Sequence, residues 1–205
     1  MDSPSRRSSF DGTAGRLSGP LMARMNRDME LAAIDELAPA SDASVLALGF
    51  GPGVGVAELA KRLPRGVVGG VDPSAAMLQQ ARRRNLSSVE CGQVTLKRGT
   101  ADSIPWPDGT FTGALAVNSI QLWDPLDASA REVVRVLAPR GRLVAITHVW
   151  AIEKRLPLEQ WASAVVELLA AAGFDDIAHR TAPFRSGQGL VLRCEKRRPC
   201  NRKAP

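Results

Sequence analysis

Short apolar runs alternate along this chain with stretches in which apolar residues recur every three or four positions. Runs such as Ser44-Val45-Leu46-Ala47-Leu48 and Val67-Val68-Gly69-Gly70-Val71 read as strands buried on both faces. Strands are predicted near 44–50, 67–72, 94–99, 113–119, 142–148, 177–183 and 189–195, and helices near 54–63, 74–85, 127–137 and 158–172. Between Pro20 and Leu37, the residues Leu21, Met22, Met25, Met29, Leu31, Ala32 and Ile34 approximate a helical stripe. That helix is expected across the edge or face of the sheet, with Pro39 marking its end and an apolar face able to support a homodimer. The alternation predicts an α/β fold: a doubly wound, mostly parallel seven-stranded sheet with helices on both faces.

Local punctuation agrees with these boundaries. Pro73-Ser74 closes one strand and supplies a cap for the next helix. Pro139-Arg140-Gly141 is expected to separate a helix from the strand at 142, and Gly173 to end the helix over 158–172.

The 205 residues suit one domain, expected over 19–196, between a flexible Ser- and Arg-rich arm at 1–18 and a basic tail at 197–205. The formal charge of +6 is confined to the ends. Residues 193–205 carry Arg193, Lys196, Arg197, Arg198, Arg202 and Lys203 against Glu195, and residues 17–192 are formally neutral. A specific nucleic-acid groove is therefore not expected. Cys91, Cys194 and Cys200 form no C-x-x-C pair, so neither a disulfide framework nor a metal site is indicated, and a reducing cytoplasm fits. No apolar run is long enough for a membrane span, and none follows the N-terminus as a leader.

The chemistry concentrates at Gly49-Phe50-Gly51-Pro52-Gly53-Val54-Gly55, where a predicted strand becomes a helix. Glycines at alternate positions remove side chains, so backbone amides are expected to lie bare against a ligand at the positive end of the helix. Asp72 ends the next strand nineteen residues beyond Gly53. A carboxylate at that spacing suits the two hydroxyls of a ribose. A nicotinamide enzyme is disfavoured, because Val54 stands where G-x-G-x-x-G counted from Gly49 needs its third glycine. The chain also contains no tyrosine for a Tyr-Lys proton relay.

From Ser44 to His148 the sequence resembles the class I S-adenosylmethionine-dependent methyltransferases. Four segments carry the resemblance in order: Val45 to Gly53, Gly70-Val71-Asp72-Pro73-Ser74 with Met77-Leu78, Gly99 to Phe111, and Arg135 to Leu143. It implies a Rossmann-like methyltransferase sheet and S-adenosyl-L-methionine as cofactor. The cofactor would be held by Gly49, Phe50, Gly51, Gly53, Asp72, Pro73, Met77, Ala101, Asp102 and Asn118. Methyl transfer to a small-molecule acceptor is the implied activity.

Two side chains are candidates for catalysis. His148 follows a strand and could act as a base at the sheet's carboxyl edge, or be an ordinary packing histidine. Asn118 could bind the acceptor or the cofactor's amino group, or cap its strand. The chain departs from the resembled family at Ala47 and Thr100, where acids are usual. These departures leave open a non-catalytic relative that binds cofactor or a partner.

Overall fold

The computed structural model describes residues 26–198; the arm at 1–18, the start of the helix expected from Pro20 and the tail beyond Arg198 lie outside them. The elements run α1 (Arg27–Leu37), β1 (Ser44–Leu48), α2 (Val54–Arg62), β2 (Val67–Asp72), α3 (Ala75–Arg84), α4 (Leu86–Glu90) and β3 (Val94–Arg98). They continue with β4 (Phe111–Val117), α5 (Leu126–Val136), β5 (Leu137–His148), α6 (Val149–Glu153), α7 (Leu158–Ala172), β6 (Phe174–Phe184) and β7 (Gly187–Lys196). A short 3-10 helix, Ile120–Leu122, follows β4.

The strands form one sheet in the order β3-β2-β1-β4-β5-β7-β6. The first five are parallel, and β7 inserts antiparallel between β5 and β6. Only Arg185 and Ser186 separate β6 from β7, a link too short for anything but an antiparallel hairpin. The expected doubly wound sheet is found.

Successive β1 side chains feed opposite cores, as the pleat requires. Val45 and Ala47 join Met29, Ile34, Leu59 and Val144 on the face covered by α1 and α2. Leu46 and Leu48 join Phe111, Val133, Leu143 and Leu169 on the face covered by α5 and α7. This two-sided burial explains the unbroken apolar run in β1.

Three expectations need correction. The apolar side of α1 is not an exposed dimer face over its described length: Met29, Ala33, Ile34 and Leu37 are buried, and Leu37 packs beside Gly113. Pro139-Arg140-Gly141 does not precede its strand but lies within β5. The pairing passes from Phe111↔Leu137 to Gly113↔Arg142, and the surplus residues bulge with Arg140 left-handed at φ 64. Strand β6 begins at Phe174 rather than 177, with a second irregularity between Asp175 and Ala178. Helices α4 and α6 are five residues each, too short to leave a periodic pattern.

Candidate functional site

A cleft of about 440 Å³ opens at the carboxyl ends of β1, β2 and β4. That is within the usual range of small-ligand sites and at the place where parallel sheets carry them. Gly49, Phe50, Gly51, Asp72, Pro73, Met77, Ala101, Asp102 and Asn118 all border it; Gly53 and His148 do not.

The glycine loop is built differently from the sequence expectation. The amides of Gly49, Gly51 and Gly53 are not bare: Gly49 donates to Val71 O at 2.8 Å, Gly53 to Phe50 O at 3.0 Å and Gly51 to Asp72 Oδ2 at 2.9 Å. The glycines instead supply backbone shape and close approach. Gly49 is left-handed at φ +67, and a Cβ there would lie 2.6 Å from that of Ser119. Gly53, the N-cap of α2 at φ +80, would put one 2.7 Å from the Ala81 Cβ. The end of α3 braces the loop from behind, with Arg84 Nε donating to Pro52 O at 2.9 Å and Asn85 Nδ2 to Gly53 O at 3.1 Å.

Asp72 is 6% exposed at the tip of β2. Besides the Gly51 amide, it accepts the Ser74 amide on Oδ1 at 2.9 Å. The side chain capping α3 is that of Ser74, whose hydroxyl accepts the Met77 amide at 3.3 Å. Asp72 is thus fixed by backbone on two sides and is not the side-chain cap of α3.

Ala101 and Asp102 form the tip of a tight turn closed by the Ser103 amide on Thr100 O at 3.2 Å. Arg135 holds the chain just beyond, donating to Ile104 O, Trp106 O and the Asp108 carboxylate. Its hydrogen bonds to Glu132 hold that carboxyl below the usual range, and Glu132 Oε2 accepts the Ile104 amide.

Asn118 sits left-handed at φ 50 beside the cleft. Its side chain is committed to structure: Oδ1 accepts the His148 amide at 3.1 Å, and Nδ2 points at Met29 Sδ at 3.5 Å. His148 is buried and does not itself border the cleft, with Nε2 3.2 Å from Asn26 Oδ1 and its ring stacked on Trp150 at 5.4 Å. Burial lowers its pKa, and Nδ1 has no hydrogen-bond partner among the described residues. The two candidate catalytic residues are therefore joined by one hydrogen bond, but only Asn118 reaches the cleft.

A methyltransferase-domain family matches residues 45–141. An uncharacterized methyltransferase, YdaC, from Bacillus subtilis is 30% identical over 164 residues, covering 78% of this chain and 87% of that protein. The chain belongs to the class I S-adenosylmethionine-dependent methyltransferases. A fatty-acid O-methyltransferase from Mycolicibacterium smegmatis is 29% identical, with 71% of this chain matching 49% of that protein. The solved cyclase SpnF superposes with a TM-score of 0.73 at 18% identity, covering 84% of this chain and 82% of that one, a likeness of fold alone.

Every ionisable side chain that borders the cleft is an acid among the described residues. Glu30, Asp72, Asp102 and Asp124 border it, and no Lys, Arg or His does among the described residues. Such a lining suits a cofactor carrying a sulfonium and an ammonium, and opposes a pyrophosphate. Glu30 was not foreseen from the sequence, because helical spacing alone places it on α1 without saying that α1 reaches the cleft. Ser119 was likewise missed; its hydroxyl donates to Leu48 O at 2.7 Å and ties β4 to the glycine loop. No group of potential metal ligands, and no helix long and apolar enough to cross a membrane, occurs among the described residues.

Proposed function

We propose that this chain binds S-adenosyl-L-methionine and transfers its methyl group to a small molecule with an apolar body. The observation that carries the reading is the Asp72 carboxylate, fixed by the Gly51 and Ser74 amides at the edge of a cleft that, among the described residues, is lined with acids and no cations. Asp72 is the acceptor for the ribose hydroxyls, and Pro73, Met77 and Ala101 flank the adenine. The cofactor supplies an electrophilic methyl group on a sulfonium. The protein's task is then positioning, which in well-oriented cases lowers a barrier by roughly 7–11 kcal/mol.

Leu122 and Trp123 border the same cleft and offer the acceptor an apolar wall. The fatty-acid O-methyltransferase relative supports an acceptor of that kind, though this chain spans about half of its length. The test is calorimetric binding of S-adenosylmethionine, followed by methyl transfer to a panel of hydroxyl, carboxyl and amine acceptors.

A second reading, a cofactor-binding protein without transferase activity, is favoured by Ala47 at the end of β1 and by His148 lying off the cleft. Binding without methylation across the panel would select it. A fold shared with a cyclase supports keeping it, because fold does not fix chemistry.

A further inference from the structure

Resting on the methyltransferase reading, the geometry points to Glu30, carried by α1 rather than by the sheet, as the counter-ion for the α-ammonium of the cofactor's amino-acid arm. Along the sheet edge the order β2-β1-β4 sets Asp72, Gly49 and Asn118 in succession. With the ribose at Asp72, the amino-acid arm runs past Gly49 toward the β4 side. Glu30 borders the cleft there and also a small void among Ala47, Gly49, Gly55, Leu115 and Val117. Its placement depends on Gly55, where a Cβ would collide with Glu30 Oε2. Glu30 keeps partial exposure because it edges the cleft, yet its carboxyl has no hydrogen-bonding or ion-pair partner among the described residues.

The surroundings make that carboxyl responsive to an arriving cation. Burial pushes its pKa up to about 8. The void walls contributed by α2, β1 and β4 are Gly55, Leu59, Ala47, Leu48, Leu115 and Val117, none of which titrates. Asp72, Asp102 and Asp124 share the larger cleft. On α1 itself Asp28 accepts the Arg185 amide, Arg27 pairs with Glu58 of α2, and His148 of β5 is held at Asn26. An ammonium placed beside Glu30 favours its ionised form, so binding near neutral pH releases a proton.

The experiment compares the whole chain with Glu30→Gln, titrating S-adenosylhomocysteine and 5′-methylthioadenosine by calorimetry from pH 6 to pH 8. The two thioethers share the adenosine and differ in the amino-acid arm. Wild-type affinity for S-adenosylhomocysteine should rise with pH by up to about tenfold per unit, with proton release seen as a dependence on buffer enthalpy. Glu30→Gln should weaken that ligand at least tenfold at pH 8, flatten the pH response, and leave 5′-methylthioadenosine within twofold. Glu30→Asp, withdrawn by one methylene, should fall between. Equal weakening of both ligands, or no weakening of either, overturns the assignment while leaving the methyltransferase reading intact. Wild-type protein that binds neither ligand overturns both.

Discussion

Gly51 donates its amide to Asp72 Oδ2 at 2.9 Å, joining the loop after β1 to the acid that ends β2. The two sequence features that pointed to a cofactor are one bonded unit in the structure. The carboxylate proposed as the ribose acceptor therefore also holds the glycine loop proposed to carry the cofactor, and a change at either residue acts on both.

Asp72→Asn keeps one acceptor oxygen but turns an amide nitrogen toward either the Gly51 or the Ser74 N–H. Cofactor affinity should fall at least tenfold, with a stability loss of about 1–3 kcal/mol for the backbone donor left unmatched. His148→Ala should leave cofactor Kd within twofold, because His148 lies off the cleft. Calorimetry on the pair decides; comparable losses would contradict this division of roles.

Gly53→Ala should destabilise the fold by about 1–3 kcal/mol or more, since it combines a left-handed backbone at φ +80 with a Cβ 2.8 Å from the Ala81 Cα. Chemical denaturation measures this directly. Gly51→Ala meets nothing within 4 Å among the described residues and bears the backbone strain of φ +52, so its cost should be smaller.

The Glu30 carboxyl is raised to about 8 in the fold. The folded state then holds a proton that the unfolded state releases from its ordinary value of 4.5, so the contribution to stability is full below pH 4.5 and is lost as pH rises to about 8. Glu30→Gln should gain melting temperature relative to wild type between pH 5 and pH 8.5. A constant difference across that range would show that Glu30 titrates as an ordinary surface acid.

His148 has the opposite sign. Burial lowers its pKa beneath 6.5, so acid protonates the unfolded chain first and stability falls as pH drops through and below 6.5. In His148→Gln the decline in urea midpoint from pH 7 to pH 5 should be shallower. Turnover at pH 7.5 should change less than threefold.

Arg135→Lys keeps the charge but cannot serve Ile104 O, Trp106 O, Asp108 and Glu132 together. Stability should drop by about 1–3 kcal/mol. Cofactor affinity should weaken with it, because the restrained segment follows the Ala101–Asp102 turn. Hydrogen exchange at Ile104 should accelerate in the variant; unchanged exchange there would separate Arg135 from the cleft.

The strand and helix pattern was legible because both faces of β1, β2 and β4 are covered, which leaves short apolar runs, and because α2, α3, α5 and α7 are long enough to show a period. Pro139-Arg140-Gly141 misled for a physical reason: turn residues also build bulges, and only pairing with β4 reveals that the strand had begun at Leu137. In the site, Asp72 could be anticipated from its spacing to the glycines. The engagement of the Gly49 and Gly51 amides could not, because their acceptors at Val71 and Asp72 belong to another strand.

The sequence by itself determined the alternation of elements, the glycine turn and the acid at the end of β2, since each is a local matter of period, backbone freedom or spacing. Tertiary structure alone decided that Glu30 borders the cleft, that His148 does not, and that Asn118 is occupied by the His148 backbone. Those outcomes depend on how α1 and β5 pack against β4, bringing together residues 89 positions apart for Met29 and Asn118 and 122 apart for Asn26 and His148. Helical period fixes which residues share a side of α1, but the sheet against which that side packs fixes what they touch.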